Sequence, residues 1–445
     1  MVLTKSRSHT DLTSLKIVSI IKTTENTSFQ INMVNLNFDI LSLIFIEAIH
    51  TGSSSVLTLR LVNRAWYEIT GRTPQLWTKL VLERKSHFTD LEYVQLYLQK
   101  SGTLPIDVHI TLPDDVDFGE IEGVAGLLHG HTAKFRSFDL HVPMRDALEN
   151  FMFFIAEGMP APLLESLRLR VQRCTPCDTC FLFVSLFTGF TPAPRLAHIE
   201  IPGWPLPDSL PQLPQITSIT IDSMSLDYIS IHKMISFLSC TPSLQHFVYK
   251  GYGESRHTGV DLDDPLIVHL PDLITIDVTA PGSGGDILCF INAPALTDAR
   301  LDGFRPYDVE GLQQGYLTAS LTDTVLLLST YSRNLQRLTL EYTEFLETPG
   351  DFKTIFNDIS FPHLEEVLLI ATDVSDETLM NCSRSSSLKK LELRDCERVT
   401  GTGLLEFVRC QGSDFFLSMK GCRNLNMTQE DMDAISEMIK VEGLH

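Results

Sequence analysis

One short pattern recurs along most of this chain and constrains its fold more than any other feature. An apolar residue is followed by two variable residues, an apolar residue, a variable residue and an apolar residue, as in LESLRL from Leu164 and LKKLEL from Leu388. Alternation over the last three positions predicts a short strand with one apolar face. Copies begin at Phe135, Leu164, Leu196, Ile216, Leu244, Leu273, Leu296, Leu335, Leu364 and Leu388.

The spacing of these copies and their prolines supports one register. Successive starts are 29, 32, 20, 28, 29, 23, 39, 29 and 24 residues apart, and most of these intervals match a leucine-rich repeat. Proline lacks an N–H and fixes φ, so it suits a turn that launches a strand. Such prolines stand two positions before the first apolar residue at Pro162, Pro194, Pro214, Pro242, Pro271, Pro294 and Pro362.

The segments between the strands have helical spacing. Examples are DYISIHKMISFLSC and LTDTVLLLSTYSR, whose apolar residues recur with the period of a helix. One strand and one helix per unit predict parallel strands with right-handed crossovers, stacked so that neighbours bury each other's apolar sides. The expected fold class is α/β, a leucine-rich-repeat solenoid over residues 131–445. An ordinary α/β domain with chance matches is the alternative.

The last two repeats contain cysteine. LKKLELRDCERVTGTGLLEFV, Leu388 to Val408, resembles the cysteine-containing leucine-rich repeat. The resemblance implies that Cys396 is buried at the turn after the strand and that VTGTGL opens a helix. FFLSMKGCRNLNMTQEDMDAI resembles a final, degraded copy with Cys422 in the same role. A core role is therefore expected for both thiols, rather than a redox role.

An apolar segment, FDILSLIFIEAIHTG from Phe38 to Gly52, stands near the start of the chain. It is too short to span a bilayer, and Asp39 and Glu47 interrupt it. Its apolar residues fall all round a helical wheel, so a helix here needs burial on more than one side. We predict three short helices between about Leu36 and Leu80, a unit too small to bury this surplus. The surplus predicts an interface.

The residues of this region resemble the F-box, in the form common in fungi. LNFDILSLIFIEAI, LTLRLVNRAWYEIT and TPQLWTKLVLE match its three submotifs in order, between about Leu36 and Leu82. The following VQLYLQKSGTLPIDVHI resembles the segment that comes after the box in those proteins. Asn37 stands where the family usually has proline.

The resemblance implies that this segment binds the Skp-type adaptor, and through it the cullin, of an SCF ubiquitin ligase. The repeats would then capture a protein substrate. Any single member of the box could instead pack only inside the three-helix unit. The implied adaptor contacts are Leu36, Ile40, Leu41, Ile44, Phe45, Leu61, Val62, Trp66, Leu76 and Trp77.

The chain divides by composition into four expected segments. Residues 1–32 are Ser/Thr-rich and predicted to be a disordered leader, 33–84 form the F-box, 85–130 a linker with the first cap or repeat, and 131–445 the solenoid. Nine cysteines, an odd number, and the lack of a signal-peptide pattern favour reduced thiols in the cytoplasm or nucleus.

Charge disfavours nucleic acid as a partner. The net charge is −21; residues 1–101 hold 11 Lys/Arg and 8 Asp/Glu, which leaves 24 (35 − 11) against 48 (56 − 8) for the rest. An acidic surface repels phosphate backbones, and no segment suits a membrane.

No motif for catalysis or for a cofactor is present, so we expect a protein that is not an enzyme, with no cofactor and no metal. The alternative is a metal or redox site at Cys174, Cys177 and Cys180, whose spacing could begin a zinc or iron–sulfur site but lacks a fourth ligand nearby.

Positions that alternate with the buried strand residues should face solvent on one broad surface. We expect this surface to bind the substrate, although a plain solvated face would show the same pattern. A rival hypothesis is a leucine-rich-repeat interaction scaffold whose box-like helices only cap the N-terminal end of the array. The candidate substrate-binding residues are Arg168, Arg170, Asp298, Arg300, Arg337, Glu341, Lys390 and Arg394.

Overall fold

The structure is a computed structural model of the chain. Contacts divide it into two compact units. The first consists of the chain up to Val81 together with Asp90–Asp107, and the second consists of Leu82–Thr89 and the chain from Val108 onward. The structure describes residues 37–52, 55–156, 158–172, 190, 192–202, 212–223, 231–251, 267–279, 287–288, 290–303, 328–343, 361–382, 387–423, 425 and 427–442.

Helices occur in both units, and none of the described helices is long and apolar enough to cross a membrane. Short 3-10 helices cover Pro74–Trp77 and Thr132–Lys134. The α-helices are α1 Phe38–His50, α2 Val56–Arg60, α3 Arg64–Arg72, α4 Lys85–Thr89, α5 Leu91–Lys100, α6 Phe118–His129, α7 Arg145–Ala156, α8 Ile231–Ser239, α9 Asp376–Cys382, α10 Gly401–Arg409 and α11 Gln429–Met438.

The described residues include sixteen strands, and each of the ten predicted hexads overlaps one of them. They are β1 Lys79–Leu82, β2 Ile106–Thr111, β3 Phe135–Val142, β4 Ser166–Val171, β5 His198–Pro202, β6 Ser218–Ser223, β7 His246–Gly251, β8 Val268–His269, β9 Thr275–Thr279, β10 Ile291–Asn292, β11 Asp298–Asp302, β12 Arg337–Glu341, β13 Glu366–Ile370, β14 Lys390–Arg394, β15 Phe416–Lys420 and β16 Lys440–Glu442. Within the described residues, 14 of them form one sheet in chain order, while β8 and β10 pair separately.

From β3 onward the strands are parallel and in phase. Arg300 of β11, for example, lies beside Asp277 of β9 on one side and Thr339 of β12 on the other. Each hexad contributes the same positions to the same rows, so the apolar residues of all strands stack into one core. This is the α/β leucine-rich-repeat solenoid that the repeat pattern predicts.

The prolines occupy the turn that launches each strand, as the sequence predicts. Pro162 is the second residue of a turn in which the N–H of Leu164 donates to the carbonyl of Ala161 at 3.1 Å. Proline suits this position because its φ is already that of the turn. The same bond recurs before the other strands, from Leu196 to Ala193, Ile216 to Leu213, Leu244 to Thr241, Leu273 to Leu270, Leu296 to Ala293 and Leu364 to Phe361.

The turn after the strand is also regular in the last repeats. The residue that follows the strand has positive φ in five of them, and three of these residues are not glycine: Tyr342, Ala371 and Asp395. The N–H of Ala371 donates to the carbonyl of Arg394 at 2.8 Å, and the equivalent bond forms in the neighbouring repeats. The residue after the strand is thus left-handed in each of these repeats, where its N–H adds one more hydrogen bond to the ladder between neighbouring strands.

The cysteine prediction is confirmed for Cys396, whereas Cys422 is only half-buried. Cys396 is fully buried two residues after β14, and its Sγ donates to the carbonyl oxygens of Leu369 and Arg394, at 3.6 and 3.4 Å. Cys422 makes equivalent, longer bonds to Leu393 and Lys420. The carbonyl oxygens of Arg394 and Lys420 accept these bonds in addition to bonds from the N–H groups of Ala371 and Asp395. As predicted, VTGTGL opens helix α10, with Thr400 as its N-cap.

Replacing Ala371 with glycine should stabilise the second unit. Ala371 has φ 48°, and relief of left-handed strain outweighs the added chain entropy by about 1 kcal/mol. Chemical denaturation should show a higher midpoint with an unchanged slope. Ala133→Gly, at an exposed position with ordinary φ, should show no gain, and an equal gain at both positions would contradict the strain argument.

Candidate interaction surfaces

The first unit has a small aromatic core. The rings of Phe45 in α1 and Trp66 in α3 lie 4.5 Å apart, both buried. Trp77 Nε1 donates to the carbonyl oxygen of Thr70 at 2.8 Å, and Tyr97 packs on the Trp77 ring at 5.0 Å. Each buried aromatic side chain contributes about 1.5–3 kcal/mol, so the unit has a core of its own.

Helix capping explains the shape of this unit. Three short helices were predicted between about Leu36 and Leu80, but the middle one is divided into α2 and α3. The side chain of Asn63 accepts from the Trp66 N–H at 2.9 Å and starts α3. Leu61 and Val62 are consequently left in the link between two helices. Asn37 caps α1 through the Asp39 N–H at 3.3 Å.

A second set of apolar side chains in this unit faces solvent. Ile40 and Leu43 lie one turn apart on the side of α1 away from buried Leu41 and Phe45. Leu61 is 86% exposed and Leu43 66% exposed, so folding of the unit leaves most of each side chain in contact with solvent. We call the exposed residues the apolar surface of the first unit, and they are Phe38, Ile40, Leu43, Leu61, Val62 and Tyr67.

A cation lies beside this surface. The guanidinium of Arg60 lies over the ring of Tyr67 at 4.4 Å and near the ring of Trp77 at 5.4 Å. Its Nε is buried and has no hydrogen-bond partner. Stacking on aromatic faces is favourable for arginine, so the ring of Tyr67 is held in place although it is half exposed.

The implied adaptor contacts therefore divide into two groups. Leu41, Phe45, Trp66, Leu76 and Trp77 are buried within the first unit, where they support its core. Exposed members are Ile40, Leu61 and Val62, whereas Ile44 is half-buried and Leu36 lies outside the described residues.

Three exposed residues, Phe38, Leu43 and Tyr67, were not among the predicted contacts. The position of Leu43, three residues after Ile40, could have indicated it.

The candidate substrate residues all lie on one face of the sheet in the second unit, where the basic ones lie close to carboxylates. Arg170 donates to both carboxylate oxygens of Glu200, at 2.7 and 3.0 Å. Arg168 approaches the same carboxylate at 3.8 Å. Asp139, one strand earlier, faces Arg170 at 3.9 Å and His109 at 3.1 Å.

Arg300 is the centre of a second charge network. It donates to Glu341 at 2.6 Å and to Asp277 at 3.2 Å, and Asp302 lies at 3.8 Å. Three carboxylates thus share one guanidinium. Burial and the negative charge of Glu341 raise the pKa of Asp302 above its ordinary value. Arg337 bonds Asp298 in the adjacent row.

A third network joins the last repeats. Arg394 Nε donates to Glu392 at 2.6 Å, and Lys390 lies 3.8 Å from both Glu392 and Glu366. Exposed pairs of this kind contribute about 0–1 kcal/mol each. Their main effect is that most charges on the face are already neutralised by neighbours on adjacent strands.

No group of three or more His, Cys, Asp or Glu side chains in the described part of the chain could hold a metal ion. Cys174, Cys177 and Cys180 lie outside the described residues. The face therefore offers paired charges, hydroxyls and a few apolar side chains, which suit recognition of another chain.

No protein-family model matches the sequence, and no curated protein matches it. The chain is similar in structure to the leucine-rich repeat-containing protein LegL7 from Legionella pneumophila, with 14% identity, a TM-score of 0.35 and coverage of 75% of this chain and 96% of that one. It is also similar to an internalin from Listeria monocytogenes, with 12% identity, a TM-score of 0.37 and coverage of 87% of this chain and 93% of that one. A third similar structure is that of the Rad7 and Elc1 complex of yeast, with 13% identity, a TM-score of 0.31 and coverage of 89% of this chain and 95% of that one. Superpositions this loose carry no argument about function.

The His109–Asp139 pair should make stability depend on pH. The hydrogen bond to Asp139 raises the pKa of His109, so the stabilisation is complete below the unfolded value of about 6.5 and is lost as pH rises through the folded value. His109→Gln should therefore lower the melting temperature near about pH 6 and change it little near about pH 8.5. A deficit that is equal at both values would exclude this linkage.

Proposed function

We propose that this chain is the substrate-recognition subunit of an SCF-type cullin-RING ubiquitin ligase, of the fungal F-box and leucine-rich-repeat kind. The first unit binds the Skp-type adaptor, and the strand face of the second binds the protein to be modified. The observation that carries the proposal is the apolar surface of the first unit, on a segment whose three submotifs resemble the F-box in order.

The energetics favour an interface at this surface. Burying one exposed Leu or Val side chain stabilises a complex by about 1.5–3 kcal/mol before the costs of association. Large apolar side chains that a folded unit leaves exposed together are candidates for an interaction site. Since the unit has its own buried aromatic core, these side chains are available for a partner.

The departure of Asn37 from the family pattern does not remove the helix start. Proline would supply a fixed φ in the first turn, whereas Asn37 supplies a side-chain cap. With this cap α1 starts at Phe38, and Ile40 and Leu43 lie one turn apart on its exposed side. The proposal assigns no catalytic residue to the chain, and ubiquitin transfer belongs to the other ligase subunits.

Replacing Leu61 and Val62 together with serine should weaken binding to a purified Skp-type adaptor by more than about tenfold, because both are exposed and central to the proposed contact. Calorimetric titration of the full chain measures this. Met144→Ser is the matched control, since Met144 is also about half exposed but belongs to the second unit. Unchanged binding by the Leu61/Val62 variant would refute the interface.

A buried position gives a contrasting expectation. Leu41→Asp should also abolish adaptor binding, but through loss of the first unit's fold, since Leu41 is buried against the core. Circular dichroism and proteolysis should report unfolding for Leu41→Asp and a native fold for the Leu61/Val62 variant. A wild-type chain that fails to bind any Skp-type adaptor would favour the interaction-scaffold alternative.

A further inference from the structure

Strand β13 differs from its neighbours on the solvent side of the sheet. Its three solvent-facing residues are Glu366, Leu368 and Ile370. Of the described strands β3 to β15, only β13 places two aliphatic side chains on this face, where the others present mostly charges, hydroxyls and imidazoles. Both are partly exposed, so they form an apolar island in a polar surface.

Tyr342 lies next to this island along the backbone. It follows β12 directly, and its N–H donates to the carbonyl oxygen of Ile370 at 2.9 Å. Its ring is 49% exposed although its φ of 46° is a conformation in which glycine would be less strained. The equivalent positions on either side are Gly303 and Ala371, so no large side chain flanks the ring along the row.

The charges along the same row are ordered. Pairing between strands places Asp302, Glu341, Ile370, Arg394 and Lys420 side by side on β11 to β15. Within this row, carboxylates therefore lie on one side of Ile370 and cations on the other.

Partial pairing leaves each end with a net charge. On the acidic side Asp277, Asp302 and Glu341 share the single cation of Arg300. On the basic side Lys390 and Arg394 lie near Glu392, and Lys390 also lies near Glu366. The net positive charge at this end is therefore that of Lys420, which is exposed at the end of the row.

We propose that Tyr342, Leu368 and Ile370 bind an apolar side chain of an extended protein segment that carries basic residues at one end and acidic residues at the other. The basic end lies over Asp302 and Glu341, and the acidic end over Arg394 and Lys420. This rests on the proposed function, because it names the class of substrate that the strand face recruits. A nucleic acid would place phosphates against the carboxylates and is disfavoured.

The size of the row fits such a segment. Neighbouring strands lie about 4.8 Å apart, so the four steps from Asp302 to Lys420 span about 19 Å. An extended chain covers this distance in about six residues. A segment can lie in either direction, so the recognised feature is opposite charge at the two ends rather than a chain direction.

Selection from a random peptide-display library on the full chain tests the proposal. We expect enriched peptides with an apolar residue between a basic and an acidic flank. Tyr342→Gly should weaken their binding at least about tenfold, because it removes the ring while relieving backbone strain. Ala371→Gly relieves the same strain one repeat later and is the matched control, with binding unchanged. Lys420→Glu should weaken the binding of peptides with an acidic flank and strengthen the binding of peptides with two basic flanks.

Three results would overturn the inference: no enrichment over a counter-selection on Tyr342→Gly, enriched peptides without opposite charges at their ends, or equal loss in both glycine variants. Adaptor binding by the same preparation separates this inference from the proposed function. A chain that binds the adaptor but selects no such peptide refutes only the substrate class. A chain that selects the peptide but binds no adaptor refutes the ligase role.

Discussion

The in-phase hydrogen-bond ladder between parallel strands is the interaction on which the second unit depends. Each strand pairs with the equivalent residues of the next, so one row of apolar side chains is buried and the next row faces solvent from β3 to β15. A slip of one residue would exchange the two rows and bury charges such as Arg300. The launching turns with proline and the left-handed residues after the strands both hold this register, one at each end.

The two candidate surfaces use different physical chemistry. In the first unit, apolar side chains are left exposed because α1 has apolar residues all round and the unit is small. On the strand face, charges are abundant but largely neutralise one another across strands, as Arg170 and Glu200 do. Affinity for a partner would therefore come from burial at the first surface, and from the apolar island, with charge as a selector, at the second.

Backbone strain gives additional information about the second surface. Tyr342, Ala371 and Asp395 share a left-handed conformation that the ladder imposes, so the conformation itself is a structural feature of the repeat. What distinguishes Tyr342 is a large exposed ring at a position where a small residue would do. Its backbone bond to Ile370 places Tyr342 next to the only strand with two aliphatic residues on the described part of the face.

Sequence alone determined the repeat. The hexads, the prolines before them and the cysteine copies predict strand positions, buried residues and turns, because each depends on local spacing and on stacking of identical units. The sequence also showed that the segment from Phe38 has more apolar residues than a small unit can bury, and it predicted which strand residues face solvent. Tertiary structure decided which members of that excess are core and which are exposed, since Asn63 divides a helix and leaves Leu61 outside. It also decided which charges are paired, because partners such as Arg300 and Glu341 are far apart in sequence and meet only when strands align.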